Sequence, residues 1–183
     1  HAFQWAVNTY QMERALIDAF LYSMEMDLTD RVYDAASYKQ YIYGSAEVVG
    51  LMCLRVFCAW DLDAYDRLQS DACALGSAFQ KINFLRDIKS DFEVRSRVYF
   101  PGVDYELFSD LQKKEIESDI QADFDAGLRG IENLPLKAKK GVFLAYEYYI
   151  RLFEKIKNVP VERLKSERIR VPDWEKFLIY LRV

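Results

Sequence analysis

Two aspartates four residues apart, Asp87 and Asp91, have the residue type and spacing of a metal-binding pair. In a helix they lie one turn apart on the same face, where two negative charges repel each other. Partial burial increases that cost, so we expect a cation to balance them. Carboxylates without neighbouring histidine or cysteine favour Mg²⁺, which commonly binds one or two carboxylates together with substrate phosphates. The pair therefore suggests a diphosphate bridged by Mg²⁺.

A polar stripe extends from this pair along the same predicted helix. At about 100° per residue, Gln80, Asn83, Asp87 and Asp91 share one narrow face. The flanking positions are apolar, which indicates a helix surrounded by other helices and a stripe that lines an internal cavity. Arginines close in sequence could bind the same anion, and they are Arg86, Arg95 and Arg97. Taken without the stripe, the two aspartates would also fit a solvated helix end.

Two other acidic pairs are interpreted differently. Asp119 and Asp123 have the same spacing, but their segment is polar on nearly every side, so we predict a solvated helix face. Asp27 and Asp30 are three apart and have no matching arginine pattern, so they are interpreted as a helix end at which Asp30 could cap a short turn.

Small residues interrupt a helix-like segment at Gly44, Ala46 and Gly50. Glycine costs a helix roughly 1 kcal/mol relative to alanine, so each position needs a reason. Close helix packing and room for a long apolar ligand both remain open. Glu47, in the same segment, is expected either at a water-filled rim or in an ion pair.

Composition excludes several classes of function. The chain has 183 residues, 51% of them hydrophobic, and a net charge of 25 − 29 = −4, which argues against nucleic-acid binding. The one histidine, His1, excludes catalytic groups that need an internal histidine. Three cysteines without a paired spacing are interpreted as buried free thiols in a reducing compartment. The longest apolar run, Val48 to Leu54, is too short to span a membrane.

Helical periodicity extends through almost the whole chain and predicts one all-α domain, residues 1–183, without a sheet. The predicted segments are one or two helices ending near Asp27, then 38–60, 65–91, 109 or 110 to 127 or 130, 135–157, and two short helices after Pro160 and Pro172. A loop is expected from Phe92 to Asp104, within which residues 97–100 could be extended.

Three blocks of the sequence together resemble the squalene/phytoene synthase family. They are Tyr41-x-Tyr-Gly-x-Ala-x-x-Val-Gly50, Leu75-Gly-x-Ala-x-Gln-x-x-Asn-x-Leu-Arg-Asp-x-x-x-Asp91 and Arg97-Val-Tyr-Phe-Pro101. Their order and spacing agree with the family, and Arg168-Ile-Arg-Val-Pro-x-Trp-x-Lys176 resembles its C-terminal end. The resemblance covers most of the chain and points most closely to phytoene synthases.

The resemblance implies an all-α isoprenoid synthase fold, a helical bundle around a central cavity. It also implies Mg²⁺-dependent head-to-head coupling of two prenyl diphosphates through a cyclopropylcarbinyl diphosphate. By the same resemblance Asn83, Asp87 and Asp91 hold metal, and Asp87 and Asp91 are catalytic together with Tyr41 at the reaction centre. The implied diphosphate contacts are Gln80, Arg86, Arg97, Tyr99 and Arg168, with Arg170 as the alternative to Arg168.

Some positions depart from the family pattern. Ser90 stands where an acidic residue is common, and Glu47 and Val48 stand where many members have glycine and threonine, but no implied metal ligand is lost. The family's first Asp-rich motif is absent, and the chain opens at His1. We therefore expect the N-terminal helices to be missing, so that the chain is about the C-terminal two-thirds of a synthase. Such a fragment is expected to have little turnover and to dimerise through exposed apolar surface.

The favoured product is phytoene from geranylgeranyl diphosphate, in carotenoid biosynthesis. A member that makes squalene or dehydrosqualene from farnesyl diphosphate, and a non-catalytic relative that acts as an assembly protein, are the alternatives. A head-to-tail elongase or cyclase fits less well, because the Tyr-Gly-x-Ala and Arg-x-Tyr-Phe-Pro blocks resemble the head-to-head synthases. The sequence decides neither the chain length of the substrate nor the use of NADPH. We expect a cytoplasmic protein, and peripheral membrane contact stays open because the product is a hydrocarbon.

Overall fold

Helices form nearly all the regular structure in this computed structural model, which describes residues 1–29 and 32–183. A one-turn π-helix, Tyr43–Glu47, joins the third helix to the fourth. The helices, in chain order, are α1 (Ala2–Tyr10), α2 (Arg14–Thr29), α3 (Ala35–Ile42), α4 (Val48–Cys58), α5 (Leu62–Arg95), α6 (Asp110–Glu132), α7 (Leu136–Lys157), α8 (Val161–Ser166) and α9 (Asp173–Arg182).

Capping residues account for most of the helix boundaries. Asp34 accepts hydrogen bonds from the first turn of α3, and Asp61 accepts one from the Ala64 amide in α5. Ser109 and Gln112 form a reciprocal capping box at the start of α6, within the start positions that the sequence predicted for this helix. Prolines precede α7, α8 and α9, where a missing amide hydrogen costs nothing.

The loop predicted to begin at Phe92 is wrong by one turn. α5 continues to Arg95 and ends at Ser96, whose φ of 50° is left-handed. The cause is packing, since the Phe92 ring stacks on Tyr105 with centroids 3.9 Å apart and keeps the helical period inside the fold. The expected extended segment follows, and Val98 makes a single parallel bridge with Val32. The described residues contain no longer strand, so the all-α prediction is confirmed.

The central helix is α5, which packs against α4, α6, α7, α8 and the π-helical turn. Three of its apolar side chains, Ala78, Ile82 and Leu85, are fully buried. This burial confirms that the helix is surrounded by other helices, which is what the apolar flanks of the polar stripe indicated. The same helix therefore carries both the core of the fold and the candidate metal ligands.

Close packing explains the glycines at two of the small positions. A β-carbon on Gly44 would lie 2.4 Å from the Ala19 carbonyl oxygen of α2, and one on Gly50 would lie 2.7 Å from the Ala72 carbonyl oxygen of α5. Gly76 of α5 is equally constrained, since its β-carbon would lie 2.6 Å from the Ala46 carbonyl oxygen. The π-helical turn and α5 thus meet backbone to backbone.

The exposure of the cysteines differs in part from what the sequence predicted. Cys58 is buried, but Cys53 is exposed, so the prediction of three buried thiols is wrong for that residue. The continuous helical stretch Ala35–Cys58 is long and apolar enough to cross a membrane by length and composition alone, with a mean hydropathy of 1.3. It packs in this fold against α2 and α5.

Large apolar side chains are exposed on α1 and α9, among them Trp5, Trp174 and Phe177, and dimerisation through such surface stays a prediction.

Candidate active site

The polar stripe predicted from the sequence lies along the C-terminal half of α5. Two residues of the stripe, Gln80 and Asn83, contact each other and α7. The Asn83 amide nitrogen lies 3.5 Å from the Gln80 side-chain oxygen, and Tyr149 of α7 donates a hydrogen bond of 3.3 Å to Asn83 Oδ1. Phe79 stacks on the same Tyr149 ring with centroids 4.0 Å apart. Asn83 is therefore oriented by α7, with its oxygen on the stripe.

Arginines bind both oxygens of the Asp87 carboxylate. The Nε and Nη2 atoms of Arg86 lie 3.1 Å and 2.6 Å from its two oxygens. Arg168, from the segment between α8 and α9, approaches the same oxygens at 2.7 Å and 3.3 Å. The hydrogen bond with Asp87 raises the pKa of the Arg86 guanidinium. The structure thus brings Arg168, the most distant of the predicted diphosphate contacts, to the second Asp motif.

Asp91 lies one turn further along α5 and is only 8% exposed. Its Oδ1 atom accepts a hydrogen bond of 3.1 Å from Arg95. Burial raises the pKa of Asp91, as does the neighbouring charge of Asp87, while Arg95 and Arg97 act in the opposite direction. This is the balance expected for two like charges on one helix face, and in this structure guanidinium groups supply the positive charge.

The donor set of this stripe fits Mg²⁺ bound jointly with a substrate. Asn83, Asp87 and Asp91 offer hard oxygen atoms on successive turns of one face. Among the described residues, no group of three or more acidic, histidine or cysteine side chains forms a complete metal cage. Mg²⁺ is commonly held by one or two carboxylates plus phosphate oxygens, so an incomplete protein cage is compatible with a site that a diphosphate completes.

An apolar cavity of about 590 Å³ runs along the N-terminal half of α5. Its walls come from the π-helical turn and from α4, α5, α6 and α7, and Gln80 is the α5 residue nearest to the aspartates. The α5 lining extends from Leu68 to Gln80, a span of roughly 18 Å at about 1.5 Å per residue. Small residues shape much of the surface, including Gly50, Gly76, Gly127 and Gly141. Of the small positions singled out in the sequence, Ala46 and Gly50 line this cavity, and the explanation that they make room for a long apolar ligand stays a prediction.

Three predicted site residues meet away from the two aspartates, around Asp27 in the last turn of α2. Arg97 Nη1 donates a hydrogen bond of 2.7 Å to Asp27 Oδ1, and the Tyr41 hydroxyl lies 3.0 Å from both carboxylate oxygens. Tyr99 accepts a hydrogen bond of 2.9 Å from Arg97. Asp27 lies at a helix end, as expected, but the expectation that it has no arginine partner is wrong, because Arg97 lies 70 residues away in the sequence. Asp30 lies outside the described residues.

The second acidic pair is a solvated face only in part, because the Asp119 side chain is 62% exposed whereas that of Asp123 is 21% exposed, so the prediction is wrong for Asp123. Lys81 of α5 is only 7% exposed, and its Nζ atom lies 2.5 Å from Asp119 and 2.7 Å from Asp123. Asp123 also accepts a hydrogen bond from Ser77. Burial alone would lower the pKa of Lys81, but the two carboxylates outweigh it and raise the pKa. A lysine among apolar neighbours was the sequence signal for this contact.

We expect Lys81→Met to lower the free energy of unfolding by about 2 kcal/mol at pH 7, because the partly buried Asp123 and the exposed Asp119 lose their hydrogen bonds to a charged partner. The loss should shrink as the pH falls towards about 5. Burial raises the pKa of the nearby Glu47, Asp123 raises it further, and Lys81 opposes them. A carboxyl group with a raised folded-state pKa costs stability at high pH, and protonation removes that cost. Urea denaturation at both pH values measures the effect. Lys114→Met, at an exposed position of α6, is the control, and an equal loss at both pH values would contradict the explanation.

This chain is similar in sequence to known proteins. The profile of the squalene/phytoene synthase family matches residues 1–175. A phytoene synthase from Cereibacter sphaeroides is 32% identical over 149 residues, covering 77% of this chain and 40% of that protein. A 15-cis-phytoene synthase from Enterobacter agglomerans is 28% identical over 171 residues, covering 85% of this chain and 56% of that protein. The chain thus spans about half the length of these curated relatives.

Solved structures share the fold. YisP from Bacillus subtilis superposes with a TM-score of 0.78 at 22% identity, covering 98% of this chain and 76% of that one. Squalene synthase HpnC from Alicyclobacillus acidocaldarius superposes with a TM-score of 0.68 at 23% identity, covering 92% of this chain and 66% of that one. The match of the family profile over nearly the whole length, together with the relative at 32% identity, shows that this chain belongs to the squalene/phytoene synthase family.

Proposed function

We propose that this chain carries the second metal-binding motif and the tail cavity of a Mg²⁺-dependent synthase that couples two molecules of geranylgeranyl diphosphate head to head to give phytoene. The observation that carries the proposal is the arrangement of α5. Its C-terminal half bears Asn83, Asp87 and Asp91, while its N-terminal half lines the apolar cavity. A molecule with an anionic head and a long apolar tail matches both halves. Family membership and the phytoene synthases among the relatives support this choice.

The diphosphate head is assigned to the polar stripe. Asn83, Asp87 and Asp91 would hold Mg²⁺, which when bound neutralises negative charge on the departing diphosphate. Arg86 and Arg168 occupy the Asp87 oxygens in this structure. With Asp87 engaged as a metal ligand, both guanidiniums would be available to bind phosphate oxygens bidentately. Gln80, at the cavity end of the stripe, is placed to donate from its amide to the diphosphate.

The prenyl tail is assigned to the cavity along α5. Its apolar walls exclude water, and burial of the tail drives binding, because each buried methylene contributes about 0.8 kcal/mol. Exclusion of water also protects carbocations from premature hydrolysis. Tyr41 is the proposed catalytic residue at the reaction centre, and Arg97 and Tyr99 support it through their contacts with Asp27. Their direct contact with diphosphate, implied by the resemblance, stays a prediction.

Calorimetric titration with non-hydrolysable prenyl diphosphates tests the proposal. We expect the chain to bind the geranylgeranyl analogue in Mg²⁺ and to lose most of that affinity in EDTA. Inorganic diphosphate should bind far more weakly, because it lacks the tail. Binding that is indifferent to Mg²⁺, or no binding by a folded chain, would contradict the assignment and favour a non-catalytic role in assembly.

The farnesyl analogue distinguishes the substrate classes. A member that makes squalene or dehydrosqualene should bind farnesyl at least as tightly as geranylgeranyl, whereas a phytoene synthase should prefer the longer tail. Product analysis after incubation with both diphosphates and Mg²⁺, on this chain and on a longer protein that contains it, identifies the hydrocarbon. Phytoene as the product would support the proposal.

A further inference from the structure

Asp27 joins three segments of the chain through one carboxylate. Its oxygens lie 3.0 Å from the Tyr41 hydroxyl of α3, and its Oδ1 atom lies 2.7 Å from Arg97 Nη1 and 3.3 Å from the Tyr99 hydroxyl. Arg97 Nη2 also donates a hydrogen bond of 2.8 Å to the Asp27 carbonyl oxygen. Arg97 therefore contacts both the side chain and the backbone of Asp27.

The groups that contact this carboxylate are buried and largely aromatic, while the Asp27 side chain itself is 31% exposed. Tyr41 is 3% exposed and Arg97 is 5% exposed. Tyr99 stacks on Phe84 of α5 with ring centroids 4.0 Å apart, and Tyr41 lies 5.1 Å from the Tyr99 ring. In such an environment hydrogen bonds to a charged acceptor are strong and directional. The Tyr41 ring and hydroxyl are therefore fixed in orientation by groups that include Asp27.

The same contacts reach the end of the helix that carries the metal-binding stripe. Ser96 ends α5 in a left-handed conformation, and the Arg97 amide then donates a hydrogen bond of 3.1 Å to the Asp91 carbonyl oxygen. The side chain of Arg97 extends from this point to Asp27 on α2. Asp27 thus anchors the segment that directly follows Asp91.

We propose that Asp27 is a positioning residue of the synthase site, which fixes the Tyr41 hydroxyl by accepting its hydrogen bond and holds Arg97 beside the end of α5. As a role in prenyl coupling, this inference rests on the proposed function. Since the Tyr41 proton is directed at Asp27, the lone pairs of the hydroxyl oxygen point elsewhere. Tyr41 then acts through its oxygen dipole and its ring face, both of which stabilise positive charge, and it donates no proton to the reactants.

The ionisation of Tyr41 agrees with this role. Burial raises the pKa of the Tyr41 phenol above its ordinary value, and contacts with Tyr99 and Asp27 raise it further. Tyr41 therefore stays a neutral phenol over the whole physiological pH range, which suits a dipole and excludes a phenolate base.

NMR of the chain labelled with ¹³C at the tyrosine Cζ atoms tests the inference without requiring turnover. Tyr41→Phe assigns the Tyr41 resonance. In the unmodified chain this resonance should lie downfield of that of Tyr146, a buried tyrosine whose hydroxyl has no carboxylate acceptor among the residues that the structure describes. Asp27→Asn should move the Tyr41 resonance upfield, because a neutral amide is a weaker acceptor. Asp18→Asn, an exposed position on the same helix, should leave it unchanged.

An unshifted Tyr41 resonance in folded Asp27→Asn would overturn the inference, as would a Tyr41 resonance in the unmodified chain no further downfield than that of Tyr146. The second comparison decides the matter even if the Asn variant fails to fold. In a preparation that couples prenyl diphosphates, Asp27→Asn should lower kcat by about 10²-fold with little change in KM. An unchanged kcat would overturn the role in coupling. If the unmodified protein shows no turnover, the proposed activity fails separately, and the NMR result still decides whether Asp27 positions Tyr41.

Discussion

Replacing Asp87 and Asp91 together with asparagine should remove Mg²⁺-dependent binding of a geranylgeranyl diphosphate analogue, with a loss of at least about 100-fold in affinity. Changes in groups that only support a metal ligand already cost about 10- to 100-fold in metal affinity, so loss of two direct ligands should cost at least as much. Asparagine keeps the size of each side chain but removes the charge that attracts the cation. Titration in Mg²⁺ and in EDTA measures the effect.

A matched variant separates ligand loss from a general change in charge. Asp63→Asn with Asp66→Asn removes the same charge from exposed positions of the same helix and should leave binding unchanged. If the Asp87 and Asp91 double variant keeps its Mg²⁺ dependence while folded, the assignment of this stripe as the metal site is wrong.

The two single variants should differ from each other. Asp87→Asn releases Arg86 and Arg168 from their shared carboxylate, so binding of diphosphate in EDTA should become tighter in this variant. Asp91→Asn weakens one contact of a single arginine, Arg95, and should bring a smaller gain in EDTA. In Mg²⁺ both variants should bind more weakly than the unmodified chain.

Local periodicity was sufficient to predict the central helix and its stripe. The positions of Gln80, Asn83, Asp87 and Asp91 follow from the helical repeat alone, and the apolar flanks at Ile82 and Phe84 are buried as expected. Caps such as Ser109 are equally local, since they act within one turn. What a single helix determines could therefore be derived from its own residues.

Contacts between distant segments could not be derived in this way. Asp27 meets Arg97 across 70 residues, and Lys81 meets Asp119 across 38. Each pair depends on the relative rotation of two helices, which no local pattern specifies. The missed arginine partner of Asp27 and the missed contact of the Asp119–Asp123 pair with Lys81 have this common cause. The sequence offered only a weak signal of such contacts, which is a charged residue next to a residue that is buried, such as Asp27 after Met26.

The small residues show that the position of a glycine relative to the neighbouring helices decides its role. It either allows two helices to pack closely or leaves open space beside the helix. At Gly44 a β-carbon would collide with the α2 backbone, whereas at Gly141 of α7 it would meet no heavy atom within 4 Å. Gly141 lines the cavity, together with Ala138 and Ala145 on the same face of α7. A larger side chain at this position can therefore enter the cavity space without first displacing the fold.

We expect Gly141→Phe to select against long prenyl tails. If the ring excludes two methylenes of a geranylgeranyl tail from the cavity, the loss is about 1.6 kcal/mol, or more than tenfold in affinity. The geranyl analogue, whose tail need not reach this part of the cavity, should bind as before. Titration of the geranyl, farnesyl and geranylgeranyl analogues in Mg²⁺ measures the dependence of affinity on tail length, and Gly141→Ala is the control that adds a side chain with little volume.

An equal loss for all three lengths would place the effect at the diphosphate end, and no loss at any length would mean that the tail does not pass α7. Only a loss that increases with tail length supports the placement of the tail along α5, since it alone ties affinity to the volume of the cavity.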